Sequence, residues 1–348
     1  MSGGVDSSVA AALLQQQGYE VVGVTLQFRP RAAGSGGCCG LDAIEDARRV
    51  AYKLNISHYV MDVRRAFENA VVEDFCAEYA SGRTPNPCVV CNNAIKWGVL
   101  LDRARELDAQ AVATGHYARL ERDADGFLWL KKGCDAAKDQ SYFLCRLTRE
   151  QLEHARFPVS GLTKRQVRET ATSLGLPVAD RPESQEICFV PDDDYAAFLA
   201  ARTGETGMPG PIVDTTGRVL GEHRGITSYT VGQRKGLGLA ARKPLYVLAI
   251  DAAANTVTVG PREDTFSAGL VAGRLNWLLP EEPVFPLEAE VKVRSRAAAV
   301  RGRIEEADAA TVRVAFAEPQ MAVTPGQTVA FYRGADVIGG GVIERQGN

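Results

Sequence analysis

The chain has 348 residues, 45% of them apolar and 24% charged, which is enough for a substantial core and suits two or three domains. A net charge of −3 excludes a protein that coats nucleic acid by bulk electrostatics, although basic residues gathered in stripes leave room for a specific RNA partner. No apolar stretch reaches the length of a membrane span and the start does not read as a signal peptide, so no membrane partner and a cytoplasmic location are expected, and eight cysteines in that setting point to a metal, cluster or reactive-thiol site rather than a disulfide scaffold.

The first stretch, Met1-Ser2-Gly3-Gly4-Val5-Asp6-Ser7-Ser8, runs directly into the helix-forming segment from Val9 to Leu14. Adjacent glycines let the backbone turn its N–H groups inward, and the opening helical turn adds donors with a partial positive charge. That is a cradle for a polyphosphate, to which Ser2, Ser7 and Ser8 can add hydroxyls. Taken alone, Gly-Gly-x-Asp-Ser is an ordinary turn ahead of a serine-capped helix. The full string from Ser2 to Ser8 resembles the pyrophosphate loop of the ATP pyrophosphatases, which split ATP into AMP and pyrophosphate. It lacks the lysine of a Walker loop, in keeping with a different cleavage point.

The helix should run to about Gln17 and stop at Gly18. Glu20 to Phe28 reads as a buried strand, a Gly-rich loop covers Arg31 to Gly40, and Asp42 to Glu45 has the form of a capping box opening a second helix. His58–Val63 reads as a strand, 66–79 as a helix, 95–107 as a helix and 111–114 as a short buried strand. This alternation predicts an α/β fold, a Rossmann-like parallel sheet covered on both faces, with ligands beyond the C-terminal strand ends. Such a loop ordinarily follows a strand, and none precedes Met1, so an upstream natural start that supplies the first strand is expected. Asp125-Gly126 marks a hairpin turn, and helices follow over 149–155 and 164–174. Beyond Arg202 the glycines and prolines from Gly204 to Pro211 open a small β-rich unit. From about Trp277 short alternating strands predict a β-barrel. The expected domains are 1–202 (catalytic), 203–265 (β-rich) and 266–348 (barrel).

Two further stretches carry chemistry. In the run from Arg83 to Asn92 two prolines hold an extended approach, and Asn92 can cap a helix beginning near Ala94, which places Cys91 at a helix N-terminus where a thiol is acidified. Cys88-x-x-Cys91 is open to three readings: a redox dithiol, half of a zinc site, or cluster ligands. Zinc is the weakest of these, because no second ligand pair follows. In Pro182–Phe189, Cys188 reads either as buried packing or, given the polar residues before it, as a working thiol on an exposed loop. Cys38 and Cys39 read as accessory, and Cys76, Cys134 and Cys145 as packing.

Five motifs together resemble the tRNA-specific 2-thiouridylase family: Ser-Gly-Gly-Val-Asp-Ser at 2–7, Gly-Arg-Thr-Pro-Asn-Pro at 82–87 with Cys91-Asn92, Ala-Thr-Gly-His-Tyr at 113–117, Lys-Asp-Gln-Ser-Tyr-Phe at 138–143, and Gly-Gln-Arg-Lys-Gly-Leu-Gly at 232–238. Val-Thr-Pro-Gly-Gln at 323–327 extends the likeness over nearly the whole chain. The resemblance implies ATP-dependent 2-thiolation of the wobble uridine of glutamate, glutamine or lysine tRNA, through adenylation of the C2 oxygen and sulfur transfer from a protein persulfide. It implies that Cys188 carries the persulfide and Cys91 is the nucleophile, ending in a disulfide between them or releasing sulfide to attack. It maps ATP, with Mg2+, to Met1, Ser2, Gly3, Gly4, Val5, Asp6, Ser7, Ser8, Leu26 and Gly115. It maps tRNA contact to Asn86, Pro87, Cys88, His116, Lys138, Asp139, Gln140, Arg294, Ser295 and Gln327, and it implies a sulfur-donor protein fed by a cysteine desulfurase.

The chain departs from part of the family at Cys88, where some members carry a proposed acid/base Asp, and at Ser295, where an aromatic is common. Cys88, Cys91 and Cys188 as three thiols raise the alternative of sulfide activated on a [4Fe–4S] cluster. Strand alternation predicts Lys292, Arg294 and Arg296 on one face, suited to a phosphate backbone. A further alternative is an ATP pyrophosphatase acting on a small-molecule carbonyl, and a non-enzymatic one is an RNA-binding protein with structural zinc.

Overall fold

The computed structural model describes residues 1–28, 41–182, 187–203 and 207–347. The Gly-rich loop with Cys38 and Cys39, and the polar residues 183–186 ahead of Cys188, lie outside the described residues. The chain divides into two compact units, one of residues 1–71, 88–193 and 335–337, the other of 72–87, 194–334 and 338–348.

In the first unit, helix α1 (Val5–Gln16) stops where Gly18 takes φ +87°, a conformation that glycine enters without a Cβ penalty. Strand β1 (Val22–Gln27) leads to helix α2 (Leu41–Leu54), and β2 (Ser57–Asp62) returns parallel to β1, Val22 opposite Ser57 and Gln27 opposite Asp62. β3 (Val112–Ala113), the hairpin β4 (Ala118–Arg122) and β5 (Leu128–Lys132), and β6 (Ala155–Arg156) follow, with β3 and β6 also parallel. Among the described residues the two parallel pairs share no ladder. At β1 the backbone of Met1 takes an edge position, its amine donating to Val24 O and its carbonyl accepting from Thr25 Oγ1 at 2.7 Å.

α1 is apolar almost all round, so it is buried between other elements. Val5, Val9 and Ala10 pack with Val50 of α2, with Val167 and Ala171 of the helix Lys164–Ser173, and with Tyr117, Val159, Leu176 and Val178. Each buried valine of this set contributes roughly 1.5–3 kcal/mol by removal from water.

The second unit holds two β assemblies. The first orders its strands β8-β7-β10-β9, from β7 (Gly210–Val213), β8 (Val219–His223), β9 (Tyr246–Asp251) and β10 (Thr256–Gly260), around Ile212, Tyr229, Val247, Val257 and Val259. The second is a barrel of β11 (Phe266–Trp277), β12 (Leu287–Lys292), β13 (Val300–Asp308), β14 (Thr311–Met321), β15 (Thr328–Arg333) and β16 (Asp336–Gly347). Its order is β11-β14-β13-β12-β15-β16, and β11–β16 pairing closes it, which removes the free edges. β11 is absent from the sequence reading, because its mixed run of Gly, Ala and Asn blurs the alternation. The predicted basic face is also corrected: β12 ends at Lys292, and Arg294 to Arg296 lie in a bend and turn, so strand period does not align them.

Residues 72–87 belong to this unit. Phe75 and Tyr79 of the helix Glu73–Ala80 meet Phe198 and Tyr195. Arg83 bridges Glu78 at 2.7 Å and Glu344 at 2.9 Å; burial works against its charge, but the two carboxylates outweigh it and raise its pKa. Thr84 N–H donates to Pro325 O, and Gly326, at φ +89°, leaves no room: a Cβ would lie 2.9 Å from Thr84 N and O and 3.0 Å from Glu78 Oε2. Gly326→Ala should therefore destabilise this unit by about 1–3 kcal/mol, combining left-handed strain with backbone overlap. A thermal melt unchanged by that substitution would show the contact to be dispensable.

Candidate active site

The cradle forms as the residue types dictate. Gly3 takes φ +70°, and a Cβ on it would lie 2.4 Å from Ala43 O, so only glycine passes α2 at this point. Gly4 is the N-cap of α1 in extended conformation, and no side chain caps the helix. The first-turn N–H groups thus have no partner within the helix, and the dipole there favours an anion. The hydroxyls divide their work. Ser2 Oγ and Ser7 Oγ stand 3.1 Å apart on the exposed side and Ser7 Oγ also donates to Gly4 O at 3.2 Å, while Ser8 Oγ is buried and donates to the same carbonyl at 2.8 Å. Ser8 therefore holds the loop rather than offering its hydroxyl to a phosphate.

Asp6 would oppose an anion at this position, and the structure neutralises it. Lys164 Nζ reaches both carboxylate oxygens at 2.8 Å and Tyr117 Oη donates to Oδ1 at 2.7 Å. Lys164 is the first residue of a helix fixed by a capping box of Thr163 and Gln166. Arg181 adds a cation, donating to Gly3 O at 3.1 Å and pairing with Asp46. Lys164, Tyr117 and Arg181 escaped the sequence reading. Thr-Lys-Arg-Gln at 163–166 signals the helix start, but nothing in sequence says what Lys164 reaches.

Gly115 lies against the same turn: a Cβ there would sit 2.7 Å from Asp6 C, Asp6 Cβ and Ser7 N. Leu26 is half-buried on β1. His116, next to Gly115, is the centre of a polar cluster. Its Nδ1 lies 3.0 Å from Gln140 Oε1, and its Nε2 lies 3.3 Å from Lys96 Nζ and 3.2 Å from Asn92 Oδ1. Trp97 and Phe157 pack on the ring. Burial, then the charge of Lys96, pull the His116 pKa down to about 3, so the imidazole is neutral at pH 7 and its Nε2 accepts from Lys96 while Nδ1–H donates to Gln140. Gln140 Oε1 also accepts from Tyr117 N–H. Asp139 accepts from the N–H of Gly133 and of Ser141 and from Ser141 Oγ, so its carboxylate shapes the turn; Lys138 is half-buried beside it.

The cysteine loop differs from expectation. The helix begins at Pro87, a residue suited to a first helical position, and Pro87–Cys91 passes into a π-helical segment, Asn92–Val99. Cys91 thus ends a helical turn instead of opening one, and the expected N-terminal acidification is withdrawn. Asn92 is buried, donates to Phe143 O at 3.0 Å and accepts from Lys96 at 2.9 Å rather than capping. Asn86 is half-buried, Cys88 exposed and Cys91 half-buried. Cys188 is half-buried and followed by buried Phe189, which meets Phe67 edge-on, so the packing and loop readings both apply to neighbouring residues. Cys145 is buried, its pKa pushed up to about 12, and Cys76 is half-buried, while Cys134 is exposed and is not a packing residue. Among the described residues no group of three or more His, Cys, Asp and Glu side chains is placed to hold a metal ion.

The second unit carries its own cleft, about 500 Å³, lined by Thr84, Thr230, Arg294, Ser295, Arg296 and Gln327 among others. Gln327 Nε2 donates to Thr84 O and Pro85 O, which fastens the segment 84–85 to the barrel.

Family models match three consecutive stretches: the tRNA methyl transferase HUP domain over residues 1–192, the tRNA methyl transferase PRC-barrel domain over 196–261 and the aminomethyltransferase beta-barrel domain over 267–343. The tRNA-specific 2-thiouridylase MnmA of Geotalea uraniireducens is 52% identical, covering 100% of this chain and 94% of that protein. The protein of the same name from Heliobacterium modesticaldum is 52% identical over 99% of this chain and 91% of its own, and that of Halothermothrix orenii 46% identical over 99% and 97%. The chain belongs to the tRNA-specific 2-thiouridylase family. Its α/β, Rossmann-like first part and closed six-stranded barrel accord with the HUP and barrel descriptions.

Two outcomes follow from the geometry of this family member. Gly115→Ala should weaken ATP binding at least tenfold, about 1.4 kcal/mol, because the methyl displaces the first turn of α1; calorimetric titration with ATP checks it, and wild-type affinity would refute the contact. His116 has a folded pKa below its unfolded 6.5, so its contribution to stability is complete above pH 6.5 and is lost as pH falls toward 3. The unfolding free energy of His116→Gln should therefore fall less steeply over that window, by up to about 1 kcal/mol per pH unit, read from denaturant titrations at each pH.

Proposed function

We propose that the chain is an ATP-dependent tRNA-uridine 2-sulfurtransferase that thiolates the wobble uridine of glutamate, glutamine and lysine tRNA. The observation that carries this reading is a glycine-built anion cradle whose one carboxylate is neutralised, within a unit that also holds Cys91 and Cys188. A uridine C2 oxygen is a poor leaving group. Its attack on the α-phosphorus of MgATP forms an O–P bond, breaks the α–β bridge with the electron pair departing on pyrophosphate, and gives up the N3 proton to water. The cradle binds the polyphosphate through backbone N–H groups.

The terminal sulfur of a Cys188 persulfide then attacks C2, and AMP leaves with the former uridine oxygen. The Cys91 thiolate attacks Cys188 Sγ, so the S–S bond breaks toward the new 2-thiouridine and a Cys91–Cys188 disulfide forms. A thiol reductant returns two electrons, and a sulfur-donor protein served by a cysteine desulfurase reloads Cys188. The alternative is the same reaction with sulfide activated on a [4Fe–4S] cluster held by Cys88, Cys91 and Cys188, a route that would leave no Cys91–Cys188 disulfide. tRNA contact is assigned to Asn86, Pro87, Cys88, His116, Lys138, Asp139, Gln140, Arg294, Ser295 and Gln327. Of these, Arg294 at the cleft of the second unit is best suited to a phosphate, whereas Gln140 and Gln327 contribute by positioning. The domain division at 202/203 and 265/266 and a cytoplasmic location belong to the same proposal; no helix among the described residues is long and apolar enough to cross a membrane.

The test combines ATP, a persulfide donor and unmodified glutamate tRNA. Wild type should release pyrophosphate and form 2-thiouridine. Cys188→Ser should form none while still releasing one equivalent of pyrophosphate in a single turnover, since adenylation precedes sulfur transfer. Pyrophosphate release with a small-molecule carbonyl and none with tRNA would refute the assignment.

A further inference from the structure

The cluster around His116 has a surplus of donors and of positive charge. Lys96 Nζ donates to Asn92 Oδ1 at 2.9 Å and to His116 Nε2 at 3.3 Å, two neutral acceptors, and among the described residues no carboxylate pairs with it. Trp97, the next residue, buries its Nε1 without an acceptor among the described residues. A half-buried cation with only neutral protein partners keeps its full charge available to an anion.

Its position connects two halves of the proposed chemistry. On one side, Lys96 touches His116, whose neighbour Gly115 lies against Asp6 and Ser7 of the cradle. On the other side, Lys96 holds Asn92, the residue after Cys91. Asn92 and Lys96, four residues apart, lie on one face of the helical segment, in hydrogen-bond contact with each other and both facing His116.

We infer that Lys96 is a catalytic residue of the adenylation step, its ammonium contacting the α-phosphate of ATP and of the uridine adenylate. The inference rests on the sulfurtransferase reading. As the uridine oxygen bonds to the α-phosphorus and the bridge to pyrophosphate breaks, negative charge shifts onto the non-bridging oxygens, and a fixed cation there lowers the barrier. The cradle binds the departing pyrophosphate, and Lys96 serves the phosphate that stays with the uridine. Asn92 and neutral His116 orient the ammonium without neutralising it, which a carboxylate partner would do.

The experiment compares Lys96→Gln and Lys96→Arg with wild type, measuring pyrophosphate release from MgATP and unmodified tRNA without a sulfur donor, and separately the loading of Cys188 with persulfide. Lys96→Gln should lose about 100-fold or more in kcat for pyrophosphate release, with KM for ATP changed far less, as for removal of a stabilising donor. Lys96→Arg should retain most of the rate. Both should load persulfide as wild type does. The inference is overturned if Lys96→Gln releases pyrophosphate normally, if its loss lies in KM alone, if Lys96→Arg fails as badly as Lys96→Gln, or if persulfide loading falls in parallel. A wild-type protein that releases no pyrophosphate with tRNA overturns the sulfurtransferase reading instead, before any variant is compared.

Discussion

The Asp6–Lys164 pair is the constraint on which the nucleotide site depends. An anion cradle at a helix N-terminus is weakened by a carboxylate one residue into the helix, yet Asp6 stands there. Two 2.8 Å contacts from a nearly buried lysine, with a third from Tyr117, convert that charge into a structural anchor. The pair draws together α1, the strand end carrying Tyr117 and the helix beginning at Lys164. A surface ion pair is worth about 1 kcal/mol or less; here the lysine is nearly buried and its carboxylate half-buried, so losing either partner leaves a poorly solvated charge beside the cradle. Once Asp6 is satisfied, the backbone N–H groups of the first turn set the sign of the site.

Close backbone approach is the second requirement. Gly3 fits under Ala43 O and Gly115 against Asp6 and Ser7, so α2 and the strand end after β3 both press on a loop that no Cβ may enter. Rigidity of this kind lets backbone donors act on a polyphosphate without reorganising first. The same pressure fixes His116, and its ring, enclosed by Trp97 and Phe157, stays neutral beside a lysine.

Much of this was legible in sequence where a local rule sufficed. Gly18 as a stop and the hairpin at Asp125-Gly126 follow from backbone preferences of single residues, whereas the helix read to open at Asp42 already includes Leu41, with Asp42 in its first turn. Glycine at 3, 4 and 115 likewise announced a backbone function. What failed were readings that needed a tertiary partner. Asn92 looks like a cap because asparagine favours caps, but Pro87 starts the helix earlier and the Asn92 side chain serves Lys96 and Phe143 instead. Arg294 and Arg296 alternate on paper, yet the chain leaves β12 at Lys292, so their shared cleft comes from a turn and not from a pleat. Ser7 and Ser8 both donate to Gly4 O, but Ser8 is fully buried while Ser7 also meets Ser2 on the exposed side.

Lys96 illustrates why the polar interior of the first unit could not be read from the chain alone. In sequence it is one lysine among 40 basic residues, on what looks like an ordinary helix. Asn92 and Lys96, four residues apart, share one helical face, and that face meets the strand end at His116. Here it places a cation between the nucleotide loop and the turn that carries Cys91, and the partners it meets are both neutral. That combination keeps the positive charge undiminished at the point where phosphate and sulfur chemistry have to share one uridine.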